Sequence, residues 1–426
     1  MGEVLTCLEH QSIPVRHQRQ AGEAVITVSQ ARQLASAPGI PRDAFRWGHQ
    51  SIQWRQFCGV VQLDGLTLEI LPKIHGKESD PGAAKAALIK MLRRAGLLKV
   101  YRGGSAFIDV QRQALLDIFI QEFCQLLHEQ SLLGKPHAYQ QQEANLTKLK
   151  GKLVTSQQLR KNLVHRERLY CEFDELSEDI LLNRIVKFTL KLLLVHCRSG
   201  QTKKSVTEQL MVHDDISDKQ ITVEDVARVN LDRTNERYRS ILDWCRLFIS
   251  SQSPDITGGD RSLLSLLFDM NRLFEHWLAV ELRPIAHRIG LRVREQSPRS
   301  YLAYREDLGQ RIFQTRPDIG FFDSDENIVW LLDAKWKLLD PSERKLGVSQ
   351  SDLYQLSSYA QVYDLSHIGL VYPRQAGMKP FYNLKLRGKK TVHVMIASVE
   401  IHNPLNEQWH ELPVSLCSPP EKAQRL

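Results

Sequence analysis

The stretch Arg316–Lys337, RPDIGFFDSDENIVWLLDAKWK, constrains the chain more than any other segment. Two apolar runs, Ile319–Phe322 and Ile328–Lys335, flank a polar loop at Asp323–Asn327, which is the pattern of a strand, a loop and a second strand. Side chains alternate between the two faces of a strand, so Asp333 and Lys335 project together, beside Val329 and Leu331. If the two strands pair as a hairpin, Asp318, which follows Pro317, lies near Asp333. Burying an unpaired charge is costly, so two charges on an otherwise apolar strand call for partners.

Two carboxylates converging at one sheet end suit a hard divalent cation such as Mg²⁺ or Mn²⁺, which takes oxygen ligands. Such an ion can polarise a phosphodiester, deliver a hydroxide and stabilise the leaving oxygen. A neighbouring lysine can orient or deprotonate the attacking water, or offset charge in the transition state. The same Asp-x-Lys also reads as a charged break at the solvent end of a buried strand, because the tripeptide is short and common.

Two helices add candidates. Leu263–Ala286 reads as one long helix with an apolar face at 264, 267, 268, 274, 278 and 282, and Glu275 falls on that face. A carboxylate there needs a partner: a metal-bound water, Lys335 or an arginine such as Arg272. On a helix expected over Ser351–Val362, Gln355 and Tyr359 are four residues apart and share a face. They could steady Lys335, contact a phosphate or simply lie on the helix surface.

The rest of the chain divides by pattern. The expected fold class is multidomain α+β. It has a β-rich N-terminal domain (1–80), a mainly helical, partner-binding middle region (81–255) and a C-terminal α/β domain with a mixed sheet (256–426). At 426 residues, two to three domains are the prior, and 42% hydrophobic with 25% charged residues excludes wholesale disorder. Asp64-Gly65 between the apolar runs Val60–Leu63 and Leu66–Ile70 predicts a two-residue type I′ hairpin. Helices are expected at Ser29–Ala35, Ala83–Ala95, Leu115–Gln130, Ser177–His196 and Asn235–Ile249. Residues 199–234 are polar and carry no clear pattern, and Ser251–Asp260 has the composition of a linker.

Several function classes are excluded. Gly388-Lys389-Lys390-Thr391 ends like a phosphate-binding loop, but Asn383 stands where its first glycine belongs, and Gly151-Lys152 is followed by Leu153; no nucleotide site is expected. The seven cysteines are dispersed without a CxxC pair, which argues against structural zinc and for free thiols in a reducing compartment. No signal peptide or membrane span is legible, so a cytoplasmic protein is expected.

The net charge of +8 is clustered. Arg374, Lys379, Lys385, Arg387, Lys389 and Lys390 fall in the C-terminal domain with no acid among residues 365–399, and are the candidate nucleic-acid contacts. Residues 81–108 and 145–170 are also basic and could face DNA, an acidic protein surface or solvent. Aromatic residues are sparse among these clusters, so a base-stacking platform is not expected.

Pro317-Asp318, then Asp333-Ala334-Lys335, then Gln355-x-x-x-Tyr359 resembles the PD-(D/E)xK nuclease superfamily of the RecB-like variety. Over residues 20–400 the chain resembles the McrC family, the nuclease subunits of McrBC-type modification-dependent restriction systems. The resemblance includes Leu149–Leu194, with its Gly-Lys step, acidic turn and Asn-Arg-x-x-Lys helix, and Phe268–Leu282, FDMNRLFEHWLAVEL. The N-terminal 80 residues match weakly, so partner contacts there are not carried over.

The resemblance implies a restriction-endonuclease-like domain with Asp318 and Asp333 as metal ligands, Lys335 as the catalytic lysine, and Glu275, Gln355 and Tyr359 in support. It also implies cleavage of double-stranded DNA carrying modified cytosine, and a separate McrB-like AAA+ GTPase ring as partner, whose hydrolysis the family stimulates. Two other readings stand beside it: a non-catalytic activator or scaffold of an AAA+ motor, and a stand-alone RecB-like repair nuclease.

Overall fold

The structure is a computed structural model that describes residues 3–37, 39–74, 80–98, 113–253, 263–375, 377–387 and 390–409. Contacts gather the chain into two compact units, Met1–Leu115 with Pro254–Leu426, and Leu116–Ser253. This grouping differs from cuts at 80 and 255, because a strand of the C-terminal third pairs with the N-terminal sheet. The linker segment 254–260 lies outside the described residues.

The N-terminal part of the first unit holds β1 (Glu3–Leu8), β2 (Ser12–Arg16), β3 (Ile26–Thr27), α1 (Val28–Ser36), β4 (Phe45–Gly48), β5 (Ser51–Trp54), β6 (Phe57–Leu63), β7 (Leu66–Leu71) and α2 (Pro81–Arg94). Helix α1 starts where Thr27 and Gln30 form a capping box, which satisfies otherwise unpaired N–H groups. β6 and β7 form the expected hairpin, with Leu63 opposite Leu66. Of the two turn residues Gly65 alone has positive φ (68°), so the turn is not type I′, which needs both. β1 joins β7 in parallel, and β3-β2-β5-β4 make a second sheet. Ile13, Ile26, Ile52, Trp54, Val61, Leu68 and Ile70 form the core between them. Buried Glu69 is neutralised by Lys85 at 2.8 Å.

Helix α3 (Leu115–Ser131) carries the start of the second unit, at Leu116. The unit continues through β8 (Ala138–Leu146), β9 (Lys152–Leu153), α4 (Thr155–Lys161), β10 (Leu169–Ser177), α5 (Leu181–His196), α6 (Gly200–Val212), α7 (Val223–Ala227), α8 (Arg239–Ser250) and β11 (Gln252–Ser253). The helix expected from Ser177 starts at Leu181 instead. Ser177 closes β10, whose nine residues pair antiparallel with β8. The patternless 199–234 contains α6 and α7, each capped by a hydroxyl side chain, Ser199 and Thr222.

The first unit resumes with β12 (Leu263–Asp269), α9 (Met270–Arg288), β13 (Arg292–Glu295), β14 (Ser300–Arg305), β15 (Gln310–Thr315), β16 (Ile319–Phe322) and β17 (Ile328–Ala334). It ends with α10 (Gln350–Val362), β18 (His367–Pro373), β19 (Phe381–Leu386), β20 (Val392–Val399) and α11 (Leu405–Gln408). The expected helix Leu263–Ala286 is therefore corrected at its start. Leu263–Asp269 is a strand paired antiparallel with β6, and Asp269 caps α9 through the Asn271 N–H at 2.9 Å. An apolar run this short fits either a strand or a helix, and β6 offered it a ladder. The pairing seats Leu267 against Gly59, where a Cβ would lie 1.9 Å from the Leu266 carbonyl oxygen.

A six-stranded mixed sheet follows, in the order β13-β16-β17-β18-β20-β19. β17, β18 and β20 run parallel, and α10 connects the first two. The whole is a multidomain α+β architecture with mixed sheets. The six described cysteines are free, and no helix among the described residues is long and apolar enough to cross a membrane.

Candidate functional site

The site forms where β17 ends. β16 and β17 pair antiparallel with Ile319 opposite Leu332, so the register carried one step further sets Asp318 against Asp333. The Ala334 N–H donates to Asp318 Oδ2 at 2.8 Å, which fastens the two strand ends together. Asp333 is 1% exposed and neighbours Leu370 of β18. Lys335 follows the strand, with its N–H on the Val371 carbonyl at 2.9 Å and its ammonium paired with Asp333 Oδ2.

Helix α10 holds the lysine from the other side. The Lys335 ammonium donates to Gln355 Oε1 at 3.1 Å, Gln355 Nε2 donates to the Tyr359 hydroxyl at 2.8 Å, and that hydroxyl donates to the Arg316 carbonyl at 3.4 Å. The four-residue spacing on the helix brings Gln355 and Tyr359 together as read from the sequence. Beside them Lys337 pairs with buried Asp352 at 3.1 Å, a contact the sequence did not signal.

Glu275 sits on α9 and accepts a hydrogen bond from Gln296 Nε2. Its partner is thus neither Lys335 nor Arg272. Gln296 has positive φ (52°), and its own N–H donates to the Asp318 carbonyl at 2.7 Å, so it ties Glu275 to the Asp318 strand. Nothing in the sequence marks Gln296 for this role, because the bond depends on how α9 packs on the sheet.

The electrostatics are dominated by burial. Burial, and then the carboxylates of Asp333 and Glu275, push the Asp318 pKa up against the Ala334 N–H and Lys335. Burial raises Asp333 as well, opposed by Lys335. Glu275 is raised by burial and by Asp333 and Glu295, although the Gln296 bond lowers it. Burial alone would lower Lys335, yet Asp333, Asp318 and Asp352 hold its pKa above the usual lysine value. Tyr359 is pushed up to about 12, mainly by burial. Asp318 and Asp333, with Glu275 near enough to raise Asp318, outnumber the Lys335 ammonium, and a proton or a cation would relieve the excess negative charge. Among the described residues no N–H reaches the buried Asp333 Oδ1, and the neighbouring Asp318 carboxyl can share a proton with Asp333. Among the described residues, no three His, Cys, Asp or Glu side chains form a ready-made metal-binding group.

The basic candidates do not form one patch. Asp333, Leu370, Ile396 and Tyr382 lie in one row across the sheet. Arg374 and Lys379 flank that row on the side where β17 ends, whereas Lys385 pairs with His393, three residues further toward the opposite end. At about 3.3 Å per residue this is a separation of about 10 Å along the strands. Arg374 is committed to Glu400 at 2.8 Å and to the Ser398 hydroxyl, and Lys390 pairs with Asp364. Lys379, Lys385 and Arg387 are exposed, and Lys389 lies outside the described residues.

This architecture is of the kind found in restriction-system proteins. The chain is similar to a chain in the refined half-complex from a tetradecameric assembly of Thermococcus gammatolerans McrB AAA+ hexamers with bound McrC. The TM-score is 0.69 at 22% identity, over 93% of this chain and 94% of that one. It is also similar to a chain in the cryo-EM structure of the Thermococcus gammatolerans McrBC complex, with a TM-score of 0.52 at 24% identity, over 66% of this chain and 87% of that one. At these identities the likeness is one of fold. The family model described as the McrBC 5-methylcytosine restriction system component matches residues 52–373, more than half of the chain, and the chain belongs to that family. No curated protein matches it.

Proposed function

We propose that the protein is the McrC-like DNA endonuclease subunit of a modification-dependent restriction complex. It would hydrolyse phosphodiesters in DNA carrying modified cytosine and stimulate a partner AAA+ GTPase ring. The observation that carries this reading is the Asp318–Asp333–Lys335 cluster at the end of a mixed sheet, with Asp333 Oδ1 buried and, among the described residues, without an N–H donor. Family membership supports the restriction role, and the fold shared with chains from McrB–McrC assemblies supports the ring as partner.

The donor set fits a hard divalent ion, because Asp318 and Asp333 offer only carboxylate oxygens and their joint charge exceeds that of Lys335. In a PD-(D/E)xK reading these two would hold Mg²⁺ or Mn²⁺, and the ion when bound supplies Lewis acidity at the scissile phosphate. Lys335, held by Asp333 and Gln355, would orient the attacking water and offset charge on the phosphoryl oxygens. Tyr359 would keep Gln355 turned so that its carbonyl, and not its amide, faces the ammonium. Glu275, fixed by Gln296, would support the metal side of the site. Residues 256–426 would be the nuclease domain, 81–255 the partner-binding region and 1–80 a β-rich domain.

The test is reconstitution with the partner GTPase, GTP, Mg²⁺ and DNA with or without methylated cytosine. The natural protein is expected to make double-strand breaks in methylated DNA, and Asp333→Ala and Lys335→Ala to abolish them while the fold and ring binding persist. Cleavage by Asp333→Ala at the natural rate would overturn the site. Stimulated GTP hydrolysis without breaks would favour an activator or scaffold, and cleavage without the ring a stand-alone repair nuclease.

A further inference from the structure

Glu9 follows β1 in the N-terminal sheet, where its N–H donates to the Leu71 carbonyl at 2.8 Å. Its carboxylate is 3% exposed, an unusual place for a charge-bearing group to which no lysine or arginine side chain among the described residues is bonded. What it accepts are two N–H groups. The Lys73 backbone N–H donates to Oε1 at 2.8 Å, and the indole N–H of Trp336, 327 residues away in sequence, reaches Oε1 at 2.8 Å and Oε2 at 3.0 Å.

Trp336 is the residue after Lys335. The two side chains have different partners: Lys335 pairs with Asp333, and the Trp336 indole bonds to Glu9. The indole also meets Phe274 edge to face at 5.4 Å, and Phe274 stacks on Trp277 at 5.8 Å. Phe274 is the residue before Glu275. One buried indole therefore touches the chain end that carries Lys335 and the helix that carries Glu275. The same helix is launched from the N-terminal sheet, through the Met270 N–H on the Gln56 carbonyl at 2.8 Å.

β17 ends at Ala334, so Lys335 stands just past the strand, with its N–H on Val371 and its carbonyl accepting the Lys337 N–H at 2.9 Å. Lys335 thus makes the last backbone bond to β18, and just beyond it the Trp336 indole is tied back to Glu9. We propose that Glu9 is a positioning residue for the candidate active site, acting through Trp336 to hold Lys335 against Asp333. This rests on the nuclease reading above. It makes the N-terminal sheet part of the catalytic scaffold, and gives a buried carboxylate a task beyond folding. A displacement of about 1 Å in a reacting group can cost about a hundredfold in rate.

The experiment compares Glu9→Ala, Glu9→Gln, Trp336→Phe and Asp333→Ala in the full chain, reconstituted with the partner ring, GTP, Mg²⁺ and methylated DNA. Glu9→Ala is expected to lower kcat by about tenfold to a hundredfold with KM for DNA unchanged within about twofold. Glu9→Gln keeps an acceptor for the indole and is expected to restore most of the rate. Amide hydrogen exchange at Lys335 and Lys337 should quicken in Glu9→Ala, while Phe321 in the adjoining hairpin stays protected. If Glu9→Ala fails to fold, Trp336→Phe carries the test, because it removes the same bond and keeps the ring. The double variant Glu9→Gln/Trp336→Phe should then lose no more than Trp336→Phe alone. Natural kcat and natural exchange at Lys335 in the variants, with Asp333→Ala inactive, would overturn the positioning role and leave the nuclease reading standing. Natural cleavage by Asp333→Ala would overturn the nuclease reading, and quickened exchange would still report the anchor.

Discussion

The Lys335 ammonium and the Gln355 side-chain carbonyl, 20 residues apart, are joined by a hydrogen bond of 3.1 Å. Gln355 is in turn oriented by the Tyr359 hydroxyl at 2.8 Å, so the lysine is held between a carboxylate and a neutral oxygen. Such a lysine keeps its charge and its direction together.

Removing the neutral partner should loosen the lysine without discharging it. Gln355→Ala is expected to slow cleavage by about tenfold, whereas Lys335→Ala should leave no detectable breaks, a loss of at least about 10² to 10⁴, the range for a lost proton-transfer or charge-stabilising group. Single-turnover cleavage of methylated DNA measures both.

Stability should depend on pH through the carboxylate cluster. Asp318 and Asp333 titrate above their ordinary value of 3.8 in the folded protein, chiefly through burial. The folded state then binds more protons than the unfolded one, so the cluster favours folding most below 3.8 and loses that advantage as pH rises through the raised values. Groups such as Asp179, whose pKa Arg184 holds low, slope the other way, so the comparison must be made against a variant. Metal-free natural protein should lose more stability than Asp318→Asn between about pH 5 and about pH 8. Mg²⁺ should restore it most at the alkaline end. Thermal melts with and without Mg²⁺ test this.

Gly59 and Gly65 should differ sharply on substitution. Gly59 has φ 145°, and a Cβ there would lie 1.9 Å from the Leu266 carbonyl oxygen, whereas Gly65, at φ 68°, faces open space. Gly59→Ala is expected to destabilise by at least about 3 kcal/mol, because the β6–β12 pairing must open, and Gly65→Ala by only about 1 kcal/mol. Urea midpoints give the comparison.

The basic residues should separate by position. Lys379, exposed near the site end of the sheet, is expected to weaken DNA binding when changed to alanine and to reduce the salt slope by about one. Lys385→Ala should do less, and Arg374→Ala should lower stability through the lost Glu400 pair. Binding titrations at several salt concentrations would distinguish the three.

The parts that could be read from the sequence are those with short-range causes. The β16–β17 hairpin shows in its two apolar runs, and with it the approach of Asp318 to Asp333. Gln355 and Tyr359 share a helix face because four residues make about one turn. Leu263–Asp269 reads as helix in the sequence because its apolar residues fit either period, and β6, about 200 residues earlier, makes it a strand. The acidic turn before α5 likewise hid the strand β10, whose partner β8 decides its state.

Local pattern, then, determined the hairpin, the helix face and the side on which Asp333 and Lys335 project. Packing alone decided that Gln296 would hold Glu275, that Lys379 and Lys385 would lie toward opposite ends of the sheet, and that Glu9 would meet Trp336. Periodicity and turn chemistry act over a few residues and leave a trace in the sequence around them. A bond across 327 residues depends on two buried surfaces fitting together, and neither surface shows in its own neighbourhood which partner it will meet.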